Sequence, residues 1–262
     1  MACFLHYNAA AMTDLFLRQK PTKCQSGLYQ INHLNIYTMN IWIIMLLVMV
    51  VSMLVQGMLQ SRFAKYSKIG LPCGMTGAEV AEKMLRDHGI YDVKVVPTRG
   101  SLTDHFNPQT KTVALSESVY SSRSVAAAAV AAHECGHAVQ HATGYAFIQM
   151  RSAMVPAVSF ASGIVQWILL AGVLCLESMP SLLWIGIGLF AITTLFSIIT
   201  LPVEINASAR AITWLSRAGI TDGQTRPMAI DALKWAAYTY VVAAIGSLAT
   251  LLYYIGLARG RD

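Results

Sequence analysis

Residues 124–144 read SVAAAAVAAHECGHAVQHATG, and this stretch decides how the rest of the chain is read. At its centre, His133-Glu134-Cys135-Gly136-His137 fits the pattern H-E-x-x-H. Alanine is the best helix former, Ser124 can cap the start and Gly144 can stop the end, so the stretch predicts a helix over 124–143. Gly136 costs such a helix about 1 kcal/mol, and the alanines leave a narrow surface that a second helix can approach closely. Residues four apart share one helix face. Both imidazoles can therefore reach one metal ion, while Glu134 can reach a water beside it. Two core histidines paired by coincidence would instead bury polar groups with nothing to satisfy them. His141 repeats the spacing once more and reads as an outer or exposed histidine rather than a fourth ligand.

The 262-residue chain is 55% hydrophobic and only 12% charged. Soluble domains carry about 25% charged residues, so the composition indicates a membrane protein. The net charge of +6 suits contact with anionic lipid headgroups. Neither a basic run nor an RNA- or DNA-binding motif is present, which excludes a nucleic-acid partner. The five cysteines are scattered, with no C-x-x-C pair, which argues against a disulfide framework or a cysteine zinc site.

Four apolar stretches approach or exceed the roughly 20 residues needed to cross a bilayer. They run over 41–59, 155–176, 182–201 and 236–257, with Glu177-Ser178-Met179-Pro180 as a tight turn between the second and third. The expected organisation is a disordered N-terminal extension over 1–38, a first span over 39–60, a motif-bearing domain over 61–154, a transmembrane hairpin over 155–201, a helix and loop over 202–235 and a last span over 236–258. A signal peptide is a poor reading of the first span, which begins forty residues in with no small-x-small site after it. Fourteen of the Lys and Arg residues fall on the motif side of the membrane and five on the other. The positive-inside rule then places the motif in the cytoplasm.

Within 61–154, Thr76-Gly77-Ala78-Glu79 is a capping-box pattern opening an amphipathic helix that Gly89 ends. Tyr91–Val96 and Lys111–Leu115 read as strands, giving the order helix, strand, strand, motif helix. Val113, Ala114 and Leu115 are candidates for an edge that binds an extended peptide by strand addition.

A catalytic zinc takes three protein ligands and keeps one open position. Glu204 is the leading candidate for the third. It follows Leu201-Pro202-Val203 where the third span re-emerges, and it opens an expected helix. A hairpin through the lipid would return it to the level of the motif helix. A carboxylate beside an apolar span needs a partner. Arg210 would be that partner if Glu204 binds no metal. Asp104 and His105 are weaker candidates.

Several further segments strengthen the case: Tyr66-Ser67-Lys68-Ile69, Thr76 to Ala81, Asp104 to Pro108, Leu115 to Tyr120, Ala131 to Gln140 and Leu201 to Ser208. With them the chain, from about Lys65 to Tyr240, resembles the YugP-type family of neutral zinc metallopeptidases of bacterial membranes. That family is similar, at a distance, to HtpX-like and CAAX-prenyl membrane proteases, which take a Glu from a later helix as third ligand. The resemblance implies a mainly α membrane protein of about four transmembrane helices, with a small α+β zincin-like domain. It also implies a multi-pass protein of the bacterial inner membrane, and supports Glu204. Relatives of the HtpX type place an Asp four residues after that Glu. Ser208 stands there instead, and a serine does not orient an imidazole as a carboxylate would.

The expected activity is zinc-dependent cleavage of peptide bonds in a peptide or membrane-protein substrate. His133, His137 and Glu204 would hold Zn2+, Glu134 would act as general base, and His105, Arg210, Tyr238 or Tyr240 would steady the oxyanion. Cys135 is assigned packing only. The alternative is a non-proteolytic adaptor or chaperone with a structural zinc. A di-iron oxidase would need a second E-x-x-H, which the chain lacks.

Overall fold

The computed structural model describes residues 23–260, with side chains from Ile41 onward. Two compact units divide the chain, Met1–Met45 and Leu46–Asp262, and every contact below lies within the second. Of the extension expected over 1–38, residues 1–22 lie outside the described residues; helix α1 (Lys23–Tyr66) covers the remainder.

The small domain follows local signals. Thr76 caps α2 (Gly77–Asp87) through a closed capping box: Glu79 N donates to Thr76 Oγ1 at 3.2 Å, and Thr76 N donates to Glu79 Oε2 at 2.7 Å. The helix ends as expected at Gly89, whose φ of +71° suits a residue without a Cβ. Three strands follow: β1 (Lys94–Thr98), β2 (His105–Asn107) and β3 (Thr112–Ser116). Their order is β1-β3-β2, with β3 parallel to β1 and antiparallel to β2. This corrects the expected edge. Val113, Ala114 and Leu115 lie in the central strand with a partner on each side, and their side chains are buried. The free edges belong to β2 and to β1, whose Pro97 suits an edge because it has no N–H to donate.

A one-turn helix α3 (Glu117–Tyr120) leads into α4 (Val125–Ala142), the motif helix. Ser124 Oγ accepts from Ala127 N at 3.2 Å, a cap that contributes about 1 kcal/mol. Gly144 follows the helix at φ +65°. The alanine face of α4 is fully buried against Val80, Met84, Val113, Leu115 and Leu215, forming the domain core.

Among the described residues, four helices are long and apolar enough to cross a membrane: Ile41–Tyr66 of α1, α5 (Ala146–Leu174), α6 (Pro180–Arg217) and α7 (Thr225–Arg259). Helices α5 and α6 form the expected hairpin with a tight seam. A Cβ on Gly172 would stand 2.8 Å from Leu183 Cα, and one on Gly186 would stand 2.8 Å from Leu169 Cδ2. Small residues let membrane helices approach in this way. One expectation changes here. The helix carrying Glu204 does not begin after the third span; α6 runs unbroken through Pro202 for 38 residues. An internal proline removes one backbone hydrogen bond, and packing neighbours make that tolerable in membrane helices. The continuity sets Glu204 on the same rigid rod as the span.

Candidate metal centre and cleft

Helices α4 and α6 meet where the motif lies. A Cβ on Gly136 would stand 2.7 Å from the Ala207 carbonyl oxygen and 3.2 Å from its Cα. The motif glycine thus costs helix propensity and gains a close helix crossing. That crossing presents Glu204 to both imidazoles. Glu204 Oε2 lies 3.2 Å from His133 Nε2 and 3.6 Å from His137 Nε2. One donor atom from each of the three residues falls within a 4.8 Å group. The His133 and His137 rings are nearly perpendicular, at 84°, with centroids 4.8 Å apart.

The outward nitrogens are held too. Ser208 Oγ is 3.0 Å from His133 Nδ1, so the hydroxyl occupies the orienting position despite being no carboxylate. His137 Nδ1 faces Gln140 Oε1 at 3.1 Å. Gln140, fully buried, donates through Nε2 to the Val203 carbonyl at 2.8 Å and to Asn206 Oδ1 at 3.0 Å. The amide fixes both the ring and the helix that carries Glu204. With Nδ1 of each ring engaged, both Nε2 atoms turn toward the carboxylate, as a metal-ligating pair requires.

Arg210, the partner expected for Glu204 if it binds no metal, is engaged elsewhere. Arg210 Nε donates instead to Asn206 Oδ1 at 2.7 Å. Arg151, on α5, donates to Glu204 Oε1 at 3.3 Å. One carboxylate oxygen thus faces the imidazoles and the other the guanidinium. Burial works to lower the pKa of His137; the hydrogen bond to Glu204 and the negative charges of Glu134 and Glu204 outweigh it, and the value is raised. Burial holds the Cys135 thiol far above its usual range, consistent with a packing role.

Glu134 lies between two clefts. One, of about 310 Å³, is bordered by His105, Phe106, Arg151 and Phe196; the other, of about 190 Å³, by Leu102, Val130, Leu233 and Ala237. Asp104, His133, Glu134, Glu204 and Tyr240 border both. Asp104 and His105 reach the cleft but not the ligand group. The Asp104 carboxylate accepts from Ser116 N at 2.7 Å and Ser116 Oγ at 3.0 Å, and His105 Nδ1 sits 2.8 Å from the Thr103 carbonyl. His141 packs against Phe106 at the cleft wall, with ring centroids 6.0 Å apart. Of the four proposed oxyanion donors, His105 and Tyr240 border the cleft. Arg210 and Tyr238 do not, and Tyr238 stacks edge-on against Trp235.

Sequence reasoning did not find Arg151, Gln140 or β2. An arginine at the entry of an apolar span was the available signal for the first. Gln140 was visible only as the residue one turn after His137.

A group of two imidazoles and one carboxylate, each anchored from behind, fits a zinc ion by its donor chemistry. Residues 41–259 match the family described as "Putative neutral zinc metallopeptidase". The chain is 44% identical over 204 residues to the "Putative membrane protease YugP" of Bacillus subtilis (strain 168), covering 78% of this chain and 90% of that protein. No solved structure matches. With four-fifths of its length inside the family match and the family's metal chemistry gathered at one helix crossing, the chain belongs to this neutral zinc metallopeptidase family.

Proposed function

We propose that the protein is a membrane-embedded, zinc-dependent endopeptidase whose active site faces the cytoplasm. The observation that carries the reading is the approach of Glu204 to both motif imidazoles, at 3.2 and 3.6 Å, across a helix crossing that only a glycine permits. The description of the Bacillus subtilis relative as a membrane protease supports it, and the excess of Lys and Arg on the motif side supports the orientation.

In this reading His133, His137 and Glu204 hold zinc. When bound, zinc supplies Lewis acidity toward the scissile carbonyl and its attacking water. Ser208 and Gln140 keep the two rings aimed. Arg151 keeps one oxygen of Glu204 engaged, leaving the other for the metal. Glu134 takes a proton from water and passes it to the leaving amine. Tyr240 and His105 border the position where negative charge would develop on the carbonyl oxygen. The outer edge of β2, rather than β3, offers backbone to an extended peptide beside the site. A structural zinc would be closed off from solvent, whereas this site opens on two clefts.

The test is the Glu134→Gln variant in proteoliposomes. It should bind one zinc per chain yet lose on the order of 10²–10⁴-fold in zinc-dependent peptide cleavage. Undiminished cleavage would remove Glu134 from the reaction.

A further inference from the structure

Helix α1 contacts α7 differently from the way the other spans meet. At Gly246 a Cβ would stand 2.9 Å from Val48 Cγ1, so the helices touch there. Between that contact and a second one, where the Tyr66 hydroxyl donates to Asp231 Oδ2 at 2.7 Å, they part. A groove of about 480 Å³ opens between them, bordered by Ser52, Gln56, Gly57 and Gln60 of α1 and by Thr239 and Val242 of α7. Thr239 also borders the smaller cleft beside Glu134, as does Leu59 of α1. The groove and the catalytic cleft therefore share Thr239 as a common wall.

The α1 wall is unusual for a membrane span. Ser52, Gln56 and Gln60 recur every four residues and so line one face. All three are exposed, and neither glutamine amide has a hydrogen-bond partner among the described residues. Amides facing hydrocarbon without partners are unfavourable and mark positions where a polar partner is taken up. Lipid tails offer no such partner. A polypeptide leaving helical structure does, because its freed N–H and C=O groups need satisfying in the same low-dielectric layer.

We infer that the α1–α7 groove is a lateral portal that receives the transmembrane segment of a substrate protein, with Gln56 and Gln60 hydrogen-bonding its backbone as it unwinds toward Glu134. The inference rests on the endopeptidase reading and adds to it a substrate class and a route of entry. Apolar side chains of the segment would lie against Met53 and Val242, and the unwound end would pass Thr239 and Leu59 into the cleft.

The experiment uses the full chain in proteoliposomes, with two probes. One is a randomised ten-residue peptide library attached to a twenty-residue Leu/Ala transmembrane helix; the other is the same library free in solution. The tethered probe should be cut at least ten-fold faster than the free one. A Cβ on Gly57 would meet nothing within 4 Å, so Gly57→Trp puts bulk into the groove from a position with open space at its Cβ. That variant, and Gln56→Leu/Gln60→Leu, should each lower the tethered-to-free ratio by about ten-fold. A ratio near one in the wild type, or a ratio unchanged in both variants, overturns the portal. Binding is read separately in the Glu134→Gln background, so failure of cleavage chemistry does not decide this question. A photo-crosslinker replacing Met53, in the groove, should capture the transmembrane probe. One replacing Leu54, similarly exposed at 65% against 67% but outside the groove, should not. Equal capture at both positions, or capture of lipid alone at Met53, overturns the proposal.

Discussion

Two pairs of membrane helices in this protein are built on opposite plans. Helices α5 and α6 are seated on each other through Gly172 against Leu183 and Gly186 against Leu169. Helix α1 touches α7 at Val48 and Gly246, parts from it over the groove, and meets it again where the Tyr66 hydroxyl donates to Asp231 Oδ2 at 2.7 Å. The first pair meets a geometric demand. Helix α6 carries Glu204 to within 3.2 and 3.6 Å of two rings on α4, and any slack in the hairpin would be passed on to the proposed metal site. The second pair bears no ligand and leaves a gap beside the cleft. On the proposed reading, rigidity is concentrated where a metal ligand is held, and openness where polypeptide enters.

Substituting at close and open glycines should break that contrast most sharply. Gly136→Leu should abolish zinc retention, because the obstruction is the Ala207 backbone, which cannot swing aside. Gly57→Leu on α1 should keep one zinc per chain by metal analysis. Next in size are Gly172→Ile and Gly186→Ile. Overpacking typically costs about 1–3 kcal/mol, so each should lower the thermal midpoint and weaken zinc binding together. An equal substitution at Gly188, which has open space around it, should do neither.

A smaller effect is expected behind the rings. Ser208→Ala frees His133 Nδ1 and should weaken zinc binding about 10–100-fold, the usual cost of losing an orienting partner; titration against a chelator of known affinity measures it. Accessibility sharpens the comparison further. Cys135 is buried with its thiol held protonated, whereas Cys73 and Cys175 are exposed. Maleimide should label the latter two in the folded protein and spare Cys135, as peptide mapping would read.

The smallest effect concerns the tie between α2 and α6. The Asp87 pKa is lowered by the hydrogen bond from Lys83, with the Trp214 indole N–H adding to it. A lowered carboxylate stabilises the fold above its unfolded value, near 3.8, and loses that contribution as pH falls through its folded value. The pair is partly exposed, so Asp87→Asn should cost less than about 1 kcal/mol at neutral pH, a cost that shrinks as pH falls through the folded value.

Signals that act within one turn or one span could be read from the sequence. Ser124 and Thr76 cap the helices they were expected to cap, Gly144 and Gly89 follow their ends, and each of the four apolar stretches overlaps one of the long apolar helices among the described residues. The approach of Glu204 to the motif imidazoles was legible because a hairpin of the expected length returns it to their level. What depended on contacts between distant segments was not. Strand β2 is three residues in a segment for which no strand was expected, and without it β3 looks like an edge. Pro202 suggested a helix boundary, yet packing of α6 on α4 and α5 outweighs one missing hydrogen bond. Arg151 lies 53 positions before the carboxylate it binds, and no local rule links them.

The central claim is that α6 supplies the third side chain of a zinc site begun by α4. Zinc stoichiometry of the purified Glu204→Ala variant, beside wild type and Glu134→Gln, tests it most directly. The account predicts one tightly held zinc per chain in the latter two and loss of zinc in Glu204→Ala. Full occupancy in Glu204→Ala at the wild-type affinity would contradict it.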